Sequence, residues 1–366
     1  MAAPRRSGGR GCFGGRLVSC MRDVMQMPAN LIPVSEFVGE KMAGVTRRFE
    51  AQLASDLPPV NQLCAHVERY RGKMLRPTLV LLCGLAAYAR AGSEEAERSI
   101  GEDHERAAAV CEMVHMATLV HDDVLDEADT RRRGETVNRL RGNEAAVILG
   151  DYLIASAYHL CSQIRHGGHR SALAVGRASM VLCAGELLQL HHRDNYSLDE
   201  RTYFEIVDRK TAELIATSCE LGAFHSGADE AMCARLSEFG RKLGVAFQIQ
   251  DDLLDLTGTE ASVGKSVGKD LEKGKMTLPL VHHLASADAL TRGRTLALIE
   301  SAGERAGAGA EETLRAALAS TGSIRYASET ATRLVREAKA LLEALAASPA
   351  KSVLLLMADA VVDRTY

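Results

Sequence analysis

Strand patterning, net charge, paired cysteines and long uninterrupted apolar runs are all scarce in this sequence. The apolar tracts at 107–120, 147–161 and 236–256 contain no proline, and strands rarely run so long. Alanine and leucine fill these tracts, and both favour helix. The expectation is an all-α fold: one bundle of about 10–13 helices around a central cavity. The formal charge is only −4, so there is no large basic field to hold nucleic acid. None of the nine cysteines falls in a C-x-x-C pair. Most lie in apolar helical stretches, including Cys83, Cys111, Cys183 and Cys219, and read as buried thiols in a reducing compartment. No apolar run reaches about 18 residues, so no transmembrane helix is expected.

The start of the chain differs from the rest. Arg5, Arg6, Arg10, Arg16 and Arg22 occur among glycines with no acid. Three readings stand: a transit peptide, a disordered tail, or an overlong start with the initiator at Met25 or Met27. The expected division is a basic extension over 1–28 and one domain over 29–366. The expected location is cytoplasmic, or mitochondrial if 1–28 is a transit peptide.

Helices are expected over 34–54, 60–71, 75–91, 107–126, 144–164, 171–189, 198–222 and 229–256. Polar connections are expected at 92–106, 130–143 and 258–274. One feature occurs twice. His121-Asp122-Asp123-Val124-Leu125-Asp126 closes one apolar helix, and Gln250-Asp251-Asp252-Leu253-Leu254-Asp255 closes another. Residues four apart share a helix face, so Asp122 pairs with Asp126 and Asp251 with Asp255. Grouped carboxylates repel each other and oppose the negative helix C-terminus. A hard divalent cation such as magnesium, shared with a phosphate ligand, would compensate.

Basic residues follow each motif: Arg131, Arg132 and Arg133 after the first, and Lys265, Lys269, Lys273 and Lys275 after the second. Their charge suits phosphate oxygens. A third group, Arg71-Gly72-Lys73-Met74-Leu75-Arg76-Pro77, offers Lys73 and Arg76 for a second, metal-free diphosphate. His115 lies two turns before Asp122 on nearly the same face. The pairs His191-His192 and His282-His283 read as surface features.

Together these segments resemble the trans-type polyprenyl diphosphate synthases, the family of farnesyl and geranylgeranyl diphosphate synthases. The match includes Gly72–Pro77, Glu112–Asp126, Gly150-Asp151, Gly185-Glu186, Arg209-Lys210-Thr211-Ala212, Phe247–Asp252 and Gly274–Pro279. The resemblance implies that isopentenyl diphosphate adds to an allylic diphosphate. It implies three magnesium ions on Asp122, Asp126 and Asp251, supported by Asp123, Asp252 and Asp255. Arg131, Lys210 and Lys265 would bind the allylic diphosphate, and Lys73, Arg76, His115 and Arg132 the isopentenyl diphosphate. Thr211 and Gln248 would flank the developing carbocation. Ala117 and Thr118 would face the product tunnel, and their small size implies a long-chain product. A homodimer, with release of the apolar product towards a membrane surface, is also implied. The loop reads Arg131-Arg132-Arg133-Gly134 where the family has R-R-G.

A class I terpene cyclase usually carries an N-S-E type second site, which this chain lacks. A non-catalytic subunit loses aspartates, whereas all six are here. A simple metal- or phosphate-binding helical protein would not need both acidic clusters and three basic groups.

Overall fold

The computed structural model describes residues 28–70, 72–88, 93–131, 134–257, 275–305 and 308–363. Apart from Pro28, the basic extension lies outside them, as do Arg132, Arg133, Lys265, Lys269 and Lys273. The described residues are mostly helical: α1 (Ile32–Leu53), α2 (Pro58–Val67), α3 (Leu75–Ala87), α4 (Ser93–Ser99), α5 (Glu102–Leu125), α6 (Val137–Arg141), α7 (Asn143–Ser162), α8 (Gly168–His191), α9 (Glu200–Val207), α10 (Glu213–His225), α11 (Glu230–Thr257), α12 (Leu278–Ser286), α13 (Ala289–Arg305), α14 (Ala308–Ser320), α15 (Ser323–Leu341) and α16 (Pro349–Val362). The only strands among the described residues are β1 (Thr130–Arg131) and β2 (Gly134–Glu135), an antiparallel pair in the loop after α5.

Three stretches depart from the expected pattern; one of them, the connection expected over 130–143, holds β1, β2 and α6. The segment 92–106, expected as a polar connection, holds α4 and the first turn of α5. Its polarity is that of a helix start: Glu102, Asp103 and Glu105 occupy the first turn of α5, where the helix dipole favours acids. Arg106 donates to Glu102 at 2.9 Å and Asp103 at 3.1 Å. The segment 198–222, expected as one helix, is split by a π turn at Asp208–Ala212.

α5 is the central helix. Residues 106–114 are all buried, including Arg106 and Glu112, so it has no solvent face over this span. α3 and α10 flank it, buried over 77–87 and 213–219. These two cross closely at Gly222, where an added Cβ would lie 2.2 Å from the Val80 carbonyl oxygen. α7 and α8 are long and apolar enough, by length and composition, to cross a membrane. Both pack on the bundle along one side and leave Ile148, Leu173 and Met180 exposed on the other. Cys183, expected to be buried, is exposed. His283, expected at the surface, is buried and bonds Thr321 and Thr295 at 2.8 and 2.9 Å. Its apolar helix, α12, turns it inward.

At the end of the bundle where α5 begins, His104 and His225 stand edge to face at 5.7 Å, bonded to Ser226 at 2.9 Å and Ser171 at 3.0 Å. Burial pushes His104 down to about 3, helped by His225, with Asp103 opposing. Burial likewise pushes His225 down to about 4, against the pull of Asp103. Both are neutral when folded, and the unfolded chain protonates them below about pH 6.5. Stability is therefore complete above that pH and falls as pH drops towards the folded values. Between pH 6.5 and 5 the loss is about 2 kcal/mol for each histidine. Urea unfolding of the wild type and of His104→Gln checks this. The variant should show the shallower pH slope. Equal slopes would mean that His104 titrates alike in both states.

Candidate active site

α5 and α11 each end on an acidic motif, and both open into one cavity of about 1420 Å³. Asp122 and Asp126 of α5 and Asp251 of α11 line it. Asp255 is half-buried and lies off the wall. Asp123, one position round the helix from Asp122, turns inward and is 1% exposed. The Arg131 guanidinium donates to it at 2.8 Å. Asp252 is the counterpart in the second motif. It accepts from the Tyr203 hydroxyl at 2.7 Å and from the Gln248 amide at 2.9 Å. Thr211 in turn donates to Gln248 at 3.0 Å. In each motif, then, an aspartate stands beside a buried, hydrogen-bonded one: Asp123 lies off the wall and is held by Arg131, whereas Asp252 reaches the wall and holds Gln248.

The electrostatics leave Asp122 under tension. Burial pushes the Asp122 carboxyl above the usual range. Lys210 and Lys275 pull it down, while Glu186 and Asp126 push it further up. Lys275 donates to Asp126 at 2.9 Å, and Lys210 forms an ion pair with Glu186. Arg131, assigned above to a diphosphate, lines the cavity while holding Asp123.

The upstream basic group lines the same cavity. Lys73 is exposed on its wall, and Arg76 and His115 are half-buried. Met74 adopts a left-handed backbone, φ 51°, just before α3, an uncommon state for a residue with a Cβ. Thr78 bonds back to its carbonyl at 2.8 Å. This tight entry places Lys73 and Arg76 on the same wall. The Arg76 Nε is buried with no hydrogen-bond partner. Burial lowers its pKa while nearby Glu112 raises it. Arg132 and Lys265, assigned to the two diphosphates, lie outside the described residues.

Below the charged mouth the wall becomes apolar. Val114, Thr118 and Asp122 follow one another at four-residue intervals down α5 and form a single stripe. Leu119, Ile154, Leu182, Ile215, Phe247 and Met357 add to the wall from six helices. Of the two residues read as facing the tunnel, Thr118 lines the cavity. Ala117 does not; it is fully buried in the core, about 100° round the helix. The sequence reading missed roles for Glu112, Glu186 and Tyr203. Glu186 belongs to the site because α8 meets the π turn, a contact between residues 24 positions apart with no local signal.

The polyprenyl synthetase family model matches residues 58–316. The chain belongs to this family. It is 34% identical over 332 residues to heptaprenyl diphosphate synthase component 2 of Geobacillus stearothermophilus, covering 90% of this chain and 98% of that one. It is 36% identical over 318 residues to a short chain isoprenyl diphosphate synthase of Methanothermobacter thermautotrophicus, covering 85% and 93%. Its fold matches the crystal structure of a polyprenyl synthase from Caulobacter crescentus, complexed with calcium and isoprenyl diphosphate. The TM-score is 0.79 and the identity 30%, over 99% of this chain and all of that one. Members of the polyprenyl synthetase family are prenyltransferases. The all-α bundle around a cavity, expected from the sequence, is the architecture of this family's solved members.

Proposed function

We propose that this chain adds isopentenyl diphosphate to an allylic diphosphate by head-to-tail 1′–4 condensation, giving a long-chain all-trans polyprenyl diphosphate. One observation carries the reading: both acidic helix ends and the basic residues open into one cavity that continues as apolar wall. A ligand with a diphosphate head and a hydrocarbon tail matches that division.

Magnesium fits the donor set. The wall offers carboxylate oxygens, and Asp122 is held above its usual range by burial and by like charges. Among the described residues no three acidic, histidine or cysteine side chains converge to enclose a metal, and magnesium usually takes one or two carboxylates with phosphate oxygens and water. Asp122, Asp126 and Asp251 would hold the ions, with Asp255 nearby. The bound metal would supply the charge that stabilises diphosphate as it leaves. Lys210 and Lys275 add positive charge at the same mouth. Lys73, Arg76 and His115 bind the second diphosphate. Thr211 and Gln248, fixed by Asp252, face the positive charge that develops on the allylic carbon. The apolar wall keeps water from that carbon.

A second copy of the chain would cover the exposed face of α7 and α8, where Ile148 is 68% and Met180 75% exposed, since such patches mark interaction surfaces. The free cysteines among the described residues suit a reducing setting, here taken as cytoplasmic, or mitochondrial if 1–28 is a transit peptide.

The test is to incubate the purified protein with magnesium, labelled isopentenyl diphosphate and farnesyl diphosphate, and to size the dephosphorylated products. A long polyprenol ladder that disappears with chelator is the expected result. A short product would retain the reaction and overturn the chain length. Elongation only after adding a second polypeptide would make this chain one component of a heteromer. No elongation with any allylic primer or partner would overturn the proposal.

A further inference from the structure

The π turn at Asp208–Ala212 carries two cavity residues, Lys210 and Thr211. π turns arise as single-turn insertions in α-helices and often lie at functional sites. Here the inserted residue lets consecutive side chains reach different partners: Lys210 meets Glu186 on α8, and Thr211 meets Gln248 on α11.

Arg241 of α11 grips the outer side of the same turn. Its Nη1 donates to both Asp208 oxygens at 2.7 and 2.8 Å, and its Nη2 donates to Glu213 at 2.5 Å. Asp208 and Glu213 are five residues apart. In a regular α-helix they would point about 140° apart, too divergent for one guanidinium. In a π turn, where the hydrogen bond runs from i to i+5, they come to the same side. One arginine bonding both is thus selective for the π turn over the α form. Two glycines make room for the bulge. A Cβ at Gly185 would lie 2.7 Å from the Arg209 Cβ and 2.9 Å from the Lys210 nitrogen. A Cβ at Gly244 would lie 2.7 Å from the Ala212 Cα.

We propose that Arg241 is a positioning residue, clamping Asp208 and Glu213 so that the π turn presents Lys210 and Thr211 to the cavity. The role of those two residues rests on the elongation reading above, whereas the clamp itself can be tested without it.

The experiment compares wild type, Arg241→Met and Arg241→Lys as full chains, alone and combined with Lys210→Ala. Arg241→Met should lower kcat about 30-fold while KM for isopentenyl diphosphate stays within about twofold, because Arg76 and His115 lie on α3 and α5 and Lys73 in the segment just before α3. Arg241→Lys should recover only part of the loss, since one ammonium cannot span both carboxylates in a fork. In the Lys210→Ala background the Arg241→Met change should cost no more than about threefold, the non-additivity expected of residues acting as a unit. Amide exchange over 208–213 should accelerate at least about tenfold in Arg241→Met, with α5 unchanged. Full additivity with Lys210→Ala, or unchanged exchange across the turn, would overturn the clamp. If Arg241→Met does not fold, Arg241→Lys carries the same comparisons. If the wild type elongates nothing, the elongation reading fails while the exchange measurement still decides the clamp.

Discussion

Asp122→Asn is expected to lower kcat for elongation by about 10³-fold, the scale of removing a key electrostatic group from a preorganised site, while leaving the melting temperature unchanged or higher. The two halves have one cause. Asp122 is desolvated and faces Asp126 and Glu186, and burial with these like charges outweighs the pull of Lys210 and Lys275, so its ionised form is disfavoured. A fold gains nothing from such a carboxylate, and neutralising it relieves repulsion. A ligand that brings further positive charge would favour the ionised form. Active sites commonly trade stability for function in this way. Steady-state kinetics and a thermal melt on the same preparation check the split. A drop in melting temperature that accounts for the lost activity would instead make Asp122 a structural residue.

Product length should respond sharply to one position on α5 and not to its neighbour. Thr118 lines the cavity four residues below Asp122, so Thr118→Phe should place a ring across the tunnel and shorten the main product. Ala117 is fully buried and off the wall. Ala117→Phe forces a ring into packed core, at about 1–3 kcal/mol or more, without shortening the product that the surviving protein makes. Chromatography of the dephosphorylated products, with urea unfolding of each variant, separates the two effects. If Ala117→Phe shortens the product and Thr118→Phe does not, the assignment of the wall is reversed.

That contrast marks where the sequence ceases to be informative. The first acidic motif was legible because four-residue spacing at the end of an apolar helix puts Asp122 and Asp126 on one face, and both line the cavity; in the second motif Asp251 reaches the same cavity whereas Asp255, expected beside it, lies off the wall. The helical class was legible from long proline-free apolar tracts. The choice between Ala117 and Thr118 was not, because α5 is so widely buried that apolar periodicity cannot tell core from cavity. The segment 92–106 misled because the acids and arginine that open α5 look like loop polarity. The π turn left no mark in composition: it is held by Arg241, Gly185 and Gly244 from elsewhere in the chain. Glu186 and Tyr203 likewise join the site only through contacts between distant helices.

The most direct test of the central claim, that two acidic helix ends serve one diphosphate, is calorimetric titration of inorganic diphosphate into the full chain with and without magnesium. Magnesium should add a binding event absent without it, beyond the metal-free binding at Lys73, Arg76 and His115. Asp122→Ala and Asp251→Ala should each weaken the metal-dependent binding by at least about tenfold, and the double variant should lose little more than either alone, because both would dismantle the same site. Metal-dependent binding that survives both single substitutions, or losses that simply add, would mean that the two motifs do not share a ligand and would contradict the account.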